Sequence, residues 1–223
     1  MMARRYYSIG GFFQLWERHE RLYQSIFMNG LKLLKINDSQ RQHEDAISEA
    51  LCPVLQRVCF SHPEKPSIPQ WERPIAPATD GELKGGKNRK RPDFSCSLVN
   101  SFAQSPEMYE ISLHIECKRL GQKTRSWNLN KNYVENGIKR FDSTTHEYGK
   151  RALSGIMIGY IIDSKREDIL LDVNGYLKDS KIQYLIFDFT DRVASCLSIF
   201  RRKSVDPKKF KLIHLWADMR GDG

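Results

Sequence analysis

The stretch YEISLHIECK, residues 109–118, alternates apolar and polar side chains without a break. A period of two residues is typical of a β-strand that has one buried face and one polar face. The polar face carries Glu110, Ser112, His114, Glu116 and Lys118. Side chains two residues apart on a strand are separated by roughly 6.6 Å. The strand therefore presents a carboxylate, Glu116, beside an ammonium, Lys118.

A second carboxylate, Asp93, follows Pro92 and begins another short strand at about 93–99. Alternate residues of that strand, starting at Phe94, are apolar and would face the core. Neighbouring strands lie about 4.8 Å apart, so Asp93 and Glu116 would reach one divalent cation, with Lys118 beside it. This arrangement points to metal-dependent cleavage of phosphodiesters.

The composition favours a polyanionic partner and excludes a membrane-spanning helix. The 223 residues include 36 Lys and Arg against 27 Asp and Glu, a net charge of +9. Basic side chains gain affinity for nucleic acid by releasing counterions from phosphates. No stretch approaches the roughly 20 apolar residues that cross a bilayer. The five cysteines are scattered without zinc-knuckle spacing, so we expect reduced thiols and a cytoplasmic protein.

The remaining patterns predict an α/β protein. Proline and glycine are frequent from 61 to 91, which predicts a long loop ending in a basic run. Helices are predicted at about 11–34, 40–58, 127–141 and 166–177. Strands are predicted at about 93–99, 109–118, 155–162, 182–189, 194–200 and 211–217.

An acidic residue two positions before a lysine is a weak signal by itself. The same spacing occurs at Glu82, Asp163 and Asp179. Asp163, which follows an apolar run, is the most serious rival to Glu116. It lacks an upstream Pro-Asp strand and a strongly amphipathic helix directly after it. The combination of features therefore favours Glu116.

Pro92-Asp93 together with Glu116-Cys117-Lys118 resembles the PD-(D/E)xK nuclease superfamily. The resemblance also includes an acidic helix upstream and the order helix, strand, strand, helix, strand, and it spans roughly residues 40–165. It implies a restriction-endonuclease-like fold, in which helices flank a central mixed sheet. By this resemblance residues 39–223 form the nuclease-like domain, including the basic loop at 61–91, and residues 1–38 form an N-terminal helical extension.

The resemblance implies a catalytic set of Asp93, Glu116 and Lys118. Asp93 and Glu116 would ligate Mg²⁺, which Mn²⁺ would replace, and Lys118 would orient or activate the attacking water. Many members of the superfamily carry a further carboxylate on the first core helix. Glu44 and Glu49 both qualify, and we favour Glu44, which would stand at the sheet end of the apolar face of that helix.

Further residues are candidates for contact with nucleic acid. They lie in the basic run before Asp93 and on the predicted helix after Lys118, where no Gln-x-x-x-Tyr motif occurs. They are Lys87, Arg89, Lys90, Arg91, Tyr133, Asn136, Lys139 and Arg140. A solubilising loop and an ordinary solvated helix face are the alternatives.

The residues and the resemblance together predict a Mg²⁺-dependent endonuclease that acts on DNA, of restriction or anti-phage defence type. A homodimer or a larger defence complex is the expected assembly. Two alternatives stay open. One is a non-catalytic nucleic-acid-binding subunit that keeps the nuclease fold, and the other is a nuclease directed at RNA.

Overall fold

The chain folds as an α/β protein in which helices flank a six-stranded mixed sheet. The structure is a computed structural model, and it describes residues 2–77, 79–84, 90–123, 127–178 and 182–221. No helix of the described ranges is both long enough and apolar enough to cross a membrane.

The strands follow the order β1-β2-β3-β4-β6-β5 across the sheet. Their bounds are β1 (Gln70–Trp71), β2 (Phe94–Val99), β3 (Glu110–Leu120), β4 (Ser154–Ile161), β5 (Val193–Arg201) and β6 (Lys209–Asp218). The central strands β3, β4 and β6 run parallel to one another. The outer strands β1, β2 and β5 each pair antiparallel with their neighbours.

Three helices precede the first strand, and the others lie between later strands along the chain. Their bounds are α1 (Met2–Leu33), α2 (Asp38–Arg41), α3 (Glu44–Ser61), α4 (Asp80–Lys84), α5 (Leu129–Glu135) and α6 (Arg166–Leu177). Short 3-10 helices cover Pro106–Met108 and Ile138–Asp142. The mixture of helices and strands that the sequence predicts is confirmed.

Three local predictions are wrong. Residues 182–189 form no strand, since Phe187 and Phe189 pack on the ring of Trp216 instead of joining the sheet. The single helix predicted at 127–141 is shorter and gives way to a 3-10 turn after Asn136. The predicted loop at 61–91 contains β1 and α4.

Two apolar layers enclose the sheet. On one side, α1 contributes Trp16 and Phe27, and α3 contributes Leu51, to a core that includes Cys117 of β3. On the other side, α5, α6 and the 3-10 helix at Ile138–Asp142 form a second core. The first helix therefore packs into the main core, while the division of the chain at residue 38 stays a prediction.

The covering layers bury both faces of β3. Its predicted apolar face is buried as expected, but Glu116 is 0% exposed and Lys118 only 5%. The polar face of this half of the strand is therefore covered as well as the apolar face. Because Gly137 has no side chain, the start of the 3-10 helix at Ile138–Asp142 packs closely against the sheet. A Cβ atom at position 137 would lie 2.5 Å from Cε of Met157, 3.3 Å from Cγ of Lys118 and still nearer the carbonyl oxygen of Tyr133.

We predict that Gly137→Ala destabilises the protein by about 1–3 kcal/mol, because the added methyl overpacks the contact over Lys118. Gly175→Ala in α6 is the matched control. A Cβ at 175 meets nothing within 4 Å, so alanine there should be neutral or stabilise by up to about 1 kcal/mol. Urea denaturation measures both free energies of unfolding. Equal effects of the two substitutions would contradict the close packing at Gly137.

Candidate active site

The site forms where β3 extends beyond its neighbour β2. The pairing of β2 with β3 ends at Phe94 opposite Ile115, yet β3 continues to Leu120. Backbone N–H groups beyond that point lack a strand partner on this edge, and buried N–H groups must be satisfied. Side-chain carboxylates replace the missing strand. Asp93 Oδ2 accepts a hydrogen bond from the N–H of Cys117, and Glu44 Oε2 accepts one from the N–H of Arg119 at 3.0 Å.

Local sequence positions each of these carboxylates. Asp93 directly precedes β2, one position beyond the last pair, and this places it beside Glu116. Glu44 is the first residue of α3, which packs its apolar stripe against the same side of the sheet as Cys117. The predicted proximity of Asp93 to Glu116 thus follows from the register of the two strands.

Lys118 lies at the centre of the cluster and is surrounded by oxygen atoms. Its Nζ is 2.7 Å from Oε1 of Glu44, 2.8 Å from Oε1 of Glu116 and 2.7 Å from the carbonyl oxygen of Cys117. The side chain of Lys118 is 6% exposed. Burial alone would lower the pKa of this ammonium, but the charge of Glu116, followed by those of Glu44 and Asp93, raises it. Lys118 is therefore a permanent buried cation.

Glu116 is fully buried, and only one of its two carboxylate oxygens has partners among the described residues. Its Oε1 atom accepts from both Lys118 and Arg140, an arginine of the 3-10 helix after α5. Its Oε2 atom has no hydrogen-bond partner among the described residues. A buried carboxylate oxygen without a partner is costly and calls for an explanation, such as strain, a bound water or a bound ion. Oε2 of Glu20 is in the same state.

Burial and a neighbouring carboxylate disfavour the ionisation of both Asp93 and Glu116. Burial and the adjacent charge of Glu116 raise the pKa of Asp93 well above its ordinary value. Burial also raises the pKa of Glu116, against the influence of Lys118 and Arg140. Clusters of perturbed groups in partly covered positions are characteristic of functional sites.

The donor set suits a cation that needs few protein ligands. Among the described residues no group of three or more His, Cys, Asp or Glu side chains is arranged to hold a metal ion. Mg²⁺ is nevertheless bound in many proteins by one or two carboxylates, because it keeps several of its waters. Asp93, with its raised pKa, and Glu116, with its unpartnered oxygen, fit such a site. The role of Glu44 as a third ligand stays a prediction, since both its oxygens accept from β3.

The predicted nucleic-acid contacts divide into three groups. Lys87 and Arg89 lie outside the described residues. Arg91, Asn136 and Lys139 are exposed, and Lys90 and Arg140 are half-buried, so these five stay candidates. They differ in their partners, because Lys139 pairs with Glu135 at 2.7 Å and Arg140 pairs with Glu116.

Tyr133 is the exception, and its predicted contact with nucleic acid is wrong. The side chain is 0% exposed. Its hydroxyl lies 2.8 Å from Nδ1 of His214 and accepts a hydrogen bond from Nε1 of Trp216 at 3.1 Å. Tyr133 therefore fixes α5 to the sheet and has no surface with which to contact a ligand.

Two residues beside the cluster were missed in the sequence. Tyr148 is buried next to the cluster, and its hydroxyl donates to the carbonyl oxygen of Arg91 at 2.7 Å. Burial raises its pKa, and the charge of Glu116 adds to that effect. His146 is half-buried, and burial together with Arg140 and Lys90 lowers its pKa to about 4. Both residues follow the 3-10 helix in irregular turns, where no periodic pattern marks them.

His114 has a structural role. Its Nδ1 atom accepts a hydrogen bond from the N–H of Gly149 at 3.0 Å, and burial lowers its pKa to about 4. The ring is therefore neutral at physiological pH. It holds the segment that carries His146 and Tyr148 against β3.

Comparison of the chain with family models, with curated proteins and with solved structures gives no match. The chemistry of the site accordingly rests on its own residues.

We predict that Asp93→Asn raises the melting temperature at pH 7. The amide removes a buried negative charge next to Glu116, while its oxygen can still accept from the N–H of Cys117. A raised carboxyl pKa makes the folded wild type lose stability as pH rises through and above the ordinary aspartate range. The gain should therefore be on the order of 1 kcal/mol near pH 7 and should vanish below about pH 4.

Thermal unfolding of wild type and variant from pH 3.5 to 8 measures this difference. Asp188→Asn, at an exposed position, is the control and should show no gain. A variant less stable than wild type at pH 7 would show instead that Lys118 makes the Asp93 charge favourable.

Proposed function

We propose that this protein is a Mg²⁺-dependent nuclease that cleaves DNA, built on a core of the restriction-endonuclease type. The observation that carries the proposal is the state of Glu116. Its carboxylate is fully buried beside Asp93, one of its oxygens contacts two cationic side chains, and the other has no partner among the described residues. Structural carboxylates are normally satisfied, whereas this arrangement suits a carboxylate that ligates a hard cation.

Asp93 and Glu116 would hold the ion. Bound Mg²⁺ polarises a phosphate oxygen and lowers the pKa of a coordinated water. A cation between the two carboxylates would also relieve the repulsion from Glu116 that, after burial, raises the pKa of Asp93. The repulsion that destabilises the two carboxylates when no ion is bound thus favours binding of the ion.

Lys118 would act as a positioned charge beside the reacting phosphate. Its ammonium is held by Glu44 and the carbonyl oxygen of Cys117 as well as by Glu116, so its position does not depend on one carboxylate. A fixed cation stabilises negative charge that develops in the transition state without reorganising at the moment of reaction. All three N–H donors of Lys118 are engaged, so orienting the attacking water would require the ammonium to release one of these contacts.

Arg140 would contact the substrate. Its side chain is 29% exposed and donates to Glu116 through one terminal nitrogen. A guanidinium carries five N–H donors in a planar fork, so further donors stay available for a phosphate. Lys90 lies near enough to His146 to lower its pKa, as does Arg140, so basic side chains converge at the edge of the site. With a net charge of +9, this favours nucleic acid as the substrate.

A second candidate is a non-catalytic protein that binds nucleic acid and keeps the fold. One observation favours it: Lys118 and Arg140 already neutralise Glu116, and the described residues contain no three-ligand metal cluster. Binding without cleavage under every divalent ion would support this candidate.

We predict cleavage of plasmid and single-stranded DNA in Mg²⁺ and none in EDTA. Glu116→Gln and Asp93→Asn should each lower the rate at least about a hundredfold, because each removes a charge that holds the ion. Lys118→Met should do the same without abolishing the fold if Glu44 stays bound to the N–H of Arg119.

Matched controls are Asp188→Asn and Lys208→Met, both at exposed positions, and these should cleave at the wild-type rate. RNA of the same sequence, tested in parallel, decides the substrate class. Undiminished cleavage by the Asp93 and Glu116 variants would remove the proposed function.

We also predict that Mn²⁺ raises the melting temperature of the wild type. A ligand that binds only the folded state stabilises it by about 2.7 kcal/mol at a concentration 100 times its Kd. Glu116→Gln should lose most of this increment, since the unpartnered oxygen becomes part of a neutral amide. Differential scanning calorimetry with and without Mn²⁺ measures it. Equal stabilisation of wild type and variant would place the ion elsewhere.

A further inference from the structure

A concave, charged surface lies apart from the acidic cluster, the group that Glu44, Asp93 and Glu116 form around Lys118, and is found at the carboxyl ends of the parallel strands β4 and β6. It is a cleft of about 760 Å³, bordered by Asp218 at the end of β6 and by the segment before α2. Its charged lining consists of Lys35, Arg41, Arg166, Arg192, Arg220, Asp191 and Asp218. In open α/β sheets, the carboxyl ends of the strands are where ligands bind.

Three arginines in the cleft are held in place around one residue, Asp218. Arg166 donates to Oδ2 of Asp218 at 3.0 Å, Arg220 donates to Oδ1 at 2.8 Å, and Arg192 donates to the carbonyl oxygen of Asp218 at 3.1 Å. Burial opposes ionisation of Asp218, but the hydrogen bonds from Arg220 and Arg166 lower its pKa to about 2. The guanidinium groups are therefore ordered before any ligand arrives.

These contacts do not neutralise the positive charge of the cleft. Five cationic side chains line it against two carboxylates, and both oxygens of Asp218 are already engaged. With Glu167, whose charge also acts on Arg220, the balance is five cations against three carboxylates and stays net positive. A network that served only to join the elements would need no such excess. Concave surfaces lined by one sign of charge concentrate the field on a counter-ion.

Donor groups also stay available. Nε and one terminal nitrogen of Arg220 donate hydrogen bonds to the carboxylate of Asp218. Its other terminal nitrogen donates to the carbonyl oxygen of Ser164 at 2.8 Å. Each terminal nitrogen carries two N–H groups, so each retains one. Lys35 is exposed at the edge of the cleft, and Arg41 contacts Asp38, which is itself 92% exposed. Guanidinium groups with free N–H donors suit phosphate oxygens.

The cleft is joined to the acidic cluster through a short piece of chain. Arg41 ends α2 and lines the cleft, while Glu44, three residues later, contacts Lys118. Between them, the carbonyl oxygen of Gln42 accepts a hydrogen bond from the side chain of Arg119. Cationic side chains thus continue from the cleft to the residue that follows Lys118.

We infer that this cleft binds phosphate groups of the nucleic acid strand at a distance from the bond that is cut, an inference that rests on the proposed function for its substrate. The acidic cluster would act on one phosphate while the arginines of the cleft hold others of the same strand. The cleft would supply affinity and alignment, and the chemistry would stay with Asp93, Glu116 and Lys118.

The test is binding of a fluorescein-labelled 20-nucleotide single-stranded DNA to the full chain in EDTA, followed by anisotropy over a series of salt concentrations. In Lys35→Gln/Arg41→Gln we expect the Kd to rise about tenfold. The slope of log K against log salt should fall by about 1.4, since each lost phosphate contact on a single strand contributes about 0.7. Melting temperatures establish that the variants are folded.

Arg21→Gln/Lys208→Gln is the matched control. It removes the same charge from exposed positions, one on α1 and one beside the start of β6, at the opposite end of that strand from Asp218. It should keep the wild-type Kd and slope. Equal losses in the two double variants, or no loss in either, would overturn the inference. If Lys35→Gln/Arg41→Gln binds the oligonucleotide as the wild type does but no longer binds ATP, the inference is overturned in favour of a mononucleotide.

Because the titration is done in EDTA, its result does not depend on cleavage. If the wild type fails to cut DNA in Mg²⁺ while the cleft variant still binds DNA more weakly, the proposed function fails and the cleft assignment holds. If the wild type cuts DNA and the cleft variant binds and cuts like the wild type, the proposed function stands and the cleft assignment fails.

Discussion

The length mismatch between β2 and β3 is the constraint on which the site depends. β3 continues five residues past its last pair with β2, and the N–H groups that it leaves open are bound by the carboxylates of Asp93 and Glu44. The N–H groups at the end of β3 need acceptors, and the acceptors that bind them are negatively charged carboxylates. That charge in turn requires cations, and Lys118 supplies the first of them from the same strand.

Burial makes this charge balance unusual. Layers of helix cover both faces of β3, so Glu116 is not exposed to solvent and its charge depends on Lys118 and Arg140. Removing one partner of a buried charge pair is costly, so the charged members of the cluster depend on one another for stability. The cluster is also incomplete, since Oε2 of Glu116 has no partner within the described residues. This unpaired oxygen is the basis on which we propose a bound cation.

The sequence predicted the parts of this arrangement that depend on local pattern. The period-two alternation at 109–118 and the position of Asp93 were sufficient to bring the two carboxylates together, because strand register converts spacing into proximity. Glu44 was found by its place at the start of an apolar helical stripe. The pairing of Arg140 with Glu116 was not foreseen, since it depends on how the segment after α5 folds back over the sheet.

The errors have the same origin. Tyr133 lies on a helix that looked partly exposed, yet its hydroxyl reaches His214 and Trp216 across the sheet. The apolar run at 182–189 resembled a strand, but Phe187 and Phe189 pack on Trp216. Short apolar runs do not show whether a segment joins a sheet or covers one, because that choice is made by tertiary packing.

The most direct measurement is anomalous diffraction from a crystal of the protein soaked in Mn²⁺. The account predicts a peak in contact with a carboxylate oxygen of Asp93 and with Glu116, and none in crystals of Glu116→Gln treated in the same way. A wild-type crystal with no peak there, and with Lys118 and Arg140 still the only partners of Glu116, would contradict it.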